Sequence, residues 1–348
     1  MNPNSLMSAF KSPSLSRLFG RPSPRPSPAE PPLRAELFAL GQLRSHGRLL
    51  AESQQVEQAP GGPERLLQRL RENERVIRAS YAVVAEAVRR GLETAPGAEW
   101  LLDNFYLIEE QIDIARAHLP PGYSRELPRL RSGPLAGFPR VYELALELVS
   151  HTDGRIDMEN LSHFVRGFQD HETLRLGELW AVPIMLRLAL LENLRRVTYR
   201  TASRRRDRDQ ALGWAHRFLD TAQTQPKQLI TDLADFVREA PELSQAFIAE
   251  LCTNLQGQHA ALGLVIGWIQ QDLAERGQTI DQIVQAESHD QAADRISIGN
   301  SITSLRTLTA LDWHEFVEDL SVTEARLRED PLGVYTHMDF ATRDRYRH

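Results

Sequence analysis

The chain has 348 residues, 41% of them hydrophobic, and a formal net charge of −6. That length allows one large domain or two smaller ones around a substantial core, and the acidic balance removes any global pull toward nucleic acid. Cys252 is the only cysteine, which excludes an internal disulfide and a cysteine-based metal cluster.

Residues 1–32 read as a disordered basic tail. KSPSLSRLFGRPSPRPSPAEPP mixes Pro and Ser with Lys11, Arg17, Arg21 and Arg25 against Glu30 alone, too little apolar surface to offset ordering entropy. The N-terminus lacks the apolar segment and small-residue cleavage site of a signal peptide, so a cytoplasmic setting is expected.

From Leu33 onward the pattern is helical. Pro63 opens a helix that Gly91 ends, with Leu66, Leu70, Val76, Ile77, Tyr81, Val84 and Val88 along its apolar stripe. EWLLDNFYLIEEQIDIARAHL follows as one helix, closed by Pro120-Pro121-Gly122. After a Pro- and Gly-bearing loop, helices are predicted from Val141 to about His151 and over Met158–Gln169.

GELWAVPIMLRLALLENLRR, from Gly177 to Arg196, is nearly apolar but interrupted by Pro183, Arg187 and Glu192. A mid-helix arginine costs a membrane span about 2.5–3.5 kcal/mol, so a buried helix of a helical domain fits better. Trp180, Ile184, Leu188 and Leu191 share one face. Later helices are expected over Ala211–Ala222, Lys227–Glu239, Leu243–Leu255, Ala260–Arg276 and Ile280–Ile296. No run alternates apolar and polar residues as a strand does. The fold class is therefore all-α, an irregular multi-helix bundle or array with subdomains 33–206 and 207–348 and a bend near Arg204–Asp209. At the C-terminus, Asp339 begins a helix too short to hold alone, which suggests the front part of a longer polypeptide.

Catalytic signatures are weak. Trp313-His314-Glu315-Phe316-Val317-Glu318 begins like a zinc-protease helix, but Glu318 stands where HExxH needs its second histidine. His151, Asp153, His163 and His171 follow no ligand spacing and read as polar surface or caps, so no metal is expected. Asp207-Arg208-Asp209 is formally a DxD, yet it follows an arginine run between helices and not a strand end. No nucleophile elbow, dinucleotide loop or P-loop occurs, and the adjacent Glu109 and Glu110 diverge on a helix. No catalytic residue is assigned.

One charge feature has geometry. Arg196, Arg200, Arg204 and Arg208 recur every fourth residue, backed by Arg195, Arg205 and Arg206. Like charges at this spacing repel mildly, so the stripe reads as a binding surface for something acidic: anionic headgroups, a nucleotide phosphate, or carboxylates of a neighbouring domain. The alternative is a solvated helix end partly neutralised by Asp207 and Asp209.

The wording of the chain resembles the N-terminal region of bacterial cyclic β-1,2-glucan synthases. WLLDNFYLIEEQI, LPPGYSRELPRL, PRVYELALELVSHTDGRIDMENLSHFVRGFQ, GELWAVPIMLRLALLENLRR, ISIGNSITSLRTL and LTALDWHEFVEDLSVTEARLREDPLGVYTHMDFATRDRYRH carry the resemblance, in the family's order. It implies a parent enzyme of the bacterial inner membrane that builds and cyclises β-1,2-glucan from UDP-glucose with a divalent cation. That chemistry belongs to a glucosyltransferase domain downstream, so no cofactor is implied for this chain. The chain would be a helical module on the cytoplasmic side, docked on that domain through Trp313, Phe316, Tyr335, Met338 and Phe340. Two other classes stay open: a stand-alone helical adaptor using the arginine stripe, and a carbohydrate-binding module that stacks β-1,2-glucan on Trp100, Tyr106, Tyr123 and Trp180.

Overall fold

A computed structural model of the protein describes residues 30–57, 65–92, 94–120, 122–239 and 243–347. The tail expected over residues 1–32 lies outside these apart from its last three residues, as does Pro63. Among the described residues the chain is all-α. Its helices are α1 Leu40–Ser53, α2 Arg65–Arg89, α3 Pro96–Asp103, α4 Phe105–Ala117, α5 Arg140–His151, α6 Met158–Gln169 and α7 Leu176–Thr224. They continue with α8 Leu229–Glu239, α9 Gln245–Leu255, α10 Gly263–Glu275, α11 Ile280–Ala310, α12 Trp313–Leu320, α13 Val322–Leu327 and α14 Phe340–Arg347. The sequence pattern misses one extended feature. Val56–Glu57 and Arg129–Leu130 pair antiparallel as two-residue strands, too short to carry a period.

Three predicted elements differ in extent, and the helix expected over Ile280–Ile296 continues to Ala310 as α11. The helix expected from Glu99 to Leu119 divides at Asn104, whose backbone sits at φ −115 and ψ 13. Its side-chain amide donates to the Trp100 carbonyl at 3.0 Å, a local bond that competes with helix continuation. Conversely, the Trp180 segment and Ala211–Ala222 form one helix of 49 residues, α7, which runs through Arg204–Asp209 without a break. The arginines of this stretch are matched by carboxylates of α11, so their mutual repulsion does not break the helix.

α7 is the axis of the molecule. Its N-terminal half is buried on nearly every side, with Met185, Leu186, Leu190, Leu191, Leu194 and Val197 fully inside. Helices α2, α4, α5, α6 and the C-terminal half of α11 supply the surrounding core, through residues such as Ile77, Ile108, Leu148, Phe164 and Ile302. A second core forms around the other half of α7. There Phe218 meets Phe236 of α8 with ring centroids 5.7 Å apart, and Phe247, Leu251 and Ile269 close the cluster. Cys252 is buried in this second core, and burial pushes its thiol up to about 11.

The polar interruptions of the α7 segment each have a partner or a cost. Arg187 donates from Nε to Gln111 Oε1 at 2.8 Å, and burial pushes its guanidinium pKa down. Asn193 donates to Ser297 Oγ and Ser301 Oγ at 3.0 and 3.1 Å, tying α7 to α11. Among the described residues no helix is long and apolar enough to cross a membrane.

Candidate functional site

The arginine stripe lies along the edge of α7 that faces α11, between the two cores. Arg204 contacts three carboxylates there: Asp294 at 2.6 Å, Asp290 at 2.9 Å and Glu287 at 3.2 Å. Arg200 pairs with Asp290 and stands 3.6 Å from Asp294. Arg208 lies 3.4 Å from Glu287 and 3.9 Å from Glu250 of α9. Arg34, N-terminal to α1, adds a contact to Asp294 at 3.4 Å and donates to the Ala293 carbonyl at 2.7 Å. Burial pushes the Asp294 carboxyl up, and Arg200, Arg204 and Arg34 pull against that shift. The i, i+4 periodicity of the arginines thus meets a carboxylate ladder on a neighbouring helix of the same chain. Arg205 also pairs with Asp209, and Ser244 donates to Asp207 at 2.7 Å.

Arg196 belongs to a different centre. Its Nε donates to Glu192 at 2.7 Å, beside Arg69 at 2.7 Å and Arg195 at 2.8 Å on the same carboxylate. The Glu192 side chain is 1% exposed. Burial alone would raise its pKa, but Arg195 and Arg69 outweigh burial and hold it down at about 2. The neighbouring Tyr142 phenol is pushed up, first by burial and then by the Glu192 charge.

The aromatic residues near the C-terminus divide by burial. Phe316 and Tyr335 are buried, whereas Trp313, Met338 and Phe340 are half-buried. Trp313 donates its indole N–H to the Leu308 carbonyl at 2.9 Å, and Phe340 packs edge-on to His314 at 4.4 Å. On the same C-terminal segment Leu332, 85% exposed, and Tyr346, 61% exposed, project with Val334 into solvent. Asp339 caps α14 as expected, accepting from the Thr342 amide at 2.7 Å.

Glu318, the residue that breaks the HExxH pattern, serves as an anchor. It accepts from Arg343 at 2.9 Å, Arg347 at 3.1 Å and Arg328 at 3.2 Å. Beside it the fully buried Glu324 accepts from the Tyr335 hydroxyl at 2.7 Å and from Arg347 at 3.1 Å. Burial raises Glu324, yet Tyr335, Arg328 and Arg347 together hold it below the ordinary carboxylate range.

Of the aromatics considered for sugar stacking, Trp100 and Tyr106 are exposed. Trp100 borders a groove with Arg295, Ile296 and Asn300 of α11. Tyr123 is half-buried, and Trp180 packs edge-on against His314 at 5.4 Å.

One grouping was not legible in the sequence. His151 does not gather with His163 or His171 but with Glu147, one turn earlier on α5, and with His46 of α1. Asp153, also grouped with His151 in the sequence, turns instead toward Arg34 at 3.5 Å. Glu147 Oε2 is 2.9 Å from His46 Nε2 and 3.5 Å from His151 Nε2. The hydrogen bond from His46 is the main cause of a lowered Glu147 pKa. The Glu147–His151 spacing of four was a signal, but His46 is 101 residues away and only helix packing brings it in.

No protein-family model matches the chain. It is 36% identical over 317 residues to the cyclic beta-(1,2)-glucan synthase NdvB of Rhizobium meliloti (strain 1021). The resemblance to cyclic β-1,2-glucan synthases read from the sequence thus holds along 90% of this chain, which spans 11% of that relative's length.

Proposed function

We propose that the chain is a helical module of a cyclic β-1,2-glucan synthase that supports glucosyl transfer without performing it. The observation that carries this reading is identity along nearly the whole chain to a small share of a named glucan synthase. In this reading UDP-glucose and a divalent cation bind elsewhere in the parent enzyme, on a glucosyltransferase domain of the inner membrane. The module sits on the cytoplasmic side and docks through its C-terminal segment. Support for the docking face comes from Leu332, Val334 and Tyr346, apolar side chains left in solvent along the segment that carries the half-buried Met338 and Phe340. The buried Phe316 and Tyr335 hold that segment in place. The arginine ladder, engaged by α11, holds the two cores together.

Two measurements test this. Purified with the transferase portion of its synthase, the chain should lose tryptic cleavage at Arg343 and Arg345 several-fold; equal cleavage with and without that portion rejects the docking face. Glucose transfer from UDP-glucose by the chain alone would reject the division of labour.

A second reading rests on the exposure of Trp100 beside its groove. There a glucan in transit stacks on Trp100 and Tyr106. Quenching of tryptophan fluorescence by linear β-1,2-glucan, lost in Trp100→Ala, is the outcome this reading requires.

A further inference from the structure

We propose that His46, Glu147 and His151 form a zinc site that ties α1 to α5. The donors are one ring nitrogen from each histidine and one carboxylate oxygen, all within 4.8 Å of one another. Two ligands each about 2.0–2.1 Å from a tetrahedral zinc ion stand about 3.3 Å apart. The separations from Glu147 Oε2, 2.9 Å to His46 and 3.5 Å to His151, bracket that spacing.

The surroundings of His151 supply an independent observation. Its Nδ1 lies 2.7 Å from the backbone carbonyl of Glu36. A carbonyl oxygen can only accept, so Nδ1 carries the proton and donates it. In the neutral ring the lone pair then sits on Nε2, which faces Glu147 Oε2, itself an acceptor. That contact is satisfied either by a second proton on the ring or by a metal cation between the two atoms. A carbonyl bonded to the far ring nitrogen is also the usual outer-shell arrangement of a metal-binding histidine, fixing tautomer and ring orientation.

The rings are held rigidly. Phe38 stacks on His151 with centroids 3.9 Å apart and planes 9° from parallel, and its amide donates to the His151 carbonyl at 3.1 Å. His46 packs edge-on against Phe38 at 5.3 Å. Two imidazoles and one carboxylate favour zinc over magnesium or calcium, which take oxygen ligands. The side chains of His46 and Glu147 keep solvent contact, and His151 borders an open cleft with Phe38, Asp157 and Asn160. Water can therefore enter as the fourth ligand.

The test uses the untagged full chain, stripped with a chelator and titrated with zinc by calorimetry, and with cobalt by visible absorption. One equivalent should bind per chain, with cobalt bands of a tetrahedral site and a melting temperature that rises with zinc. Glu147→Gln keeps the shape and a hydrogen bond to His46, and should weaken zinc at least about 10-fold, as should His151→Ala. His171→Asn, outside the cluster, should bind as the parent does. Absence of stoichiometric zinc uptake by the unmodified chain overturns the proposal without any variant. So does equal affinity in a His46→Ala, His151→Ala double variant whose helical circular dichroism is intact.

Discussion

Arg140 and Glu178 meet in a two-pronged ion pair, Nε to Oε1 at 2.7 Å and Nη2 to Oε2 at 2.9 Å, with both side chains almost wholly out of water. Arg140 opens α5, and Glu178 lies in the first turn of α7, where it also accepts from the Arg175 amide at 3.0 Å. Burial lowers the Arg140 pKa, but Glu178 and then Glu172 outweigh it and raise it. The pair therefore joins two helix starts, and removing one partner strands a buried charge. Glu178→Met should cost about 3–5 kcal/mol in denaturant unfolding, while Arg140→Met with Glu178→Met should cost much less than those two single changes summed. Strict additivity of the three variants would show that the residues act independently.

Helix α1 crosses α6 so closely that two glycines are required. A Cβ on Gly167 would fall far inside contact distance of the Arg44 carbonyl oxygen, and one on Gly47 would do the same to Phe164. Backbone oxygens cannot move aside as a side-chain tip can. Gly167→Ala should therefore cost about 3 kcal/mol or more, by forcing α1 off α6. Gly41→Ala, on the same helix with open space around it, should stabilise by a few tenths to about 1 kcal/mol. Comparable melting temperatures for Gly167→Ala and the parent would mean that the two helices do not touch as described.

The two glycines also mark how far the sequence can be read. Helix existence was legible wherever apolar residues recur with helical spacing and end at a breaker, as in α6, whose limits were read directly as Met158–Gln169. The length of α7 was not, because four arginines in a row of turns look like a solvated end until Glu287, Asp290 and Asp294 are placed opposite them. Those acids lie about 90 positions away, and no local rule pairs them with the stripe. The same limit hid the role of Glu318. It reads as a failed metal ligand in its own heptad, and becomes an anchor only when Arg343 and Arg347 return to it.

Glu192 gives the fold an acid-sensitive point. Its carboxyl is held at about 2 in the folded protein against an ordinary value of 4.5. A depressed carboxylate stabilises fully above the unfolded value, and that contribution is lost as pH falls through the folded one. The window therefore runs from 4.5 down to about 2, with about 3 kcal/mol at stake. Urea midpoints of Glu192→Gln should lie well below those of the parent at neutral pH and converge on them toward pH 2. A gap that stays constant across that window would remove Glu192 as the cause.

Arg204 and Asp294 offer a charge-swap test of the ladder between α7 and α11. Asp294→Asn should cost about 2–3 kcal/mol, since Arg34, Arg200 and Arg204 all turn toward that carboxylate. Arg204→Glu should cost at least as much, because a new carboxylate would face Glu287, Asp290 and Asp294. Joining Arg204→Glu with Asp294→Arg should recover part of the loss. Thermal melts of the three variants check this, and a double variant no better than Arg204→Glu alone would count against a direct pair.

The C-terminal segment should open as a local unit governed by Glu324. Tyr335, Arg328 and Arg347 converge on that carboxylate from three positions along the chain, and Arg347 also lies over the Phe340 ring at 4.8 Å. The segment owes its order to this one buried acceptor and to Glu318, since α14 is too short to persist alone. Tyr335→Phe removes one hydrogen bond, about 1 kcal/mol, which corresponds to roughly 5-fold faster cleavage when opening precedes proteolysis. Glu324→Gln removes one of the two carboxylates that hold the buried Arg347, leaving Glu318, and should speed cleavage more, on the order of 10–100-fold. Both effects should appear at Arg343 and Arg345 while cleavage inside α7 stays slow, because its core half is buried independently of the segment. Cleavage that accelerates equally at both places would instead mean that the segment and the main core unfold as one.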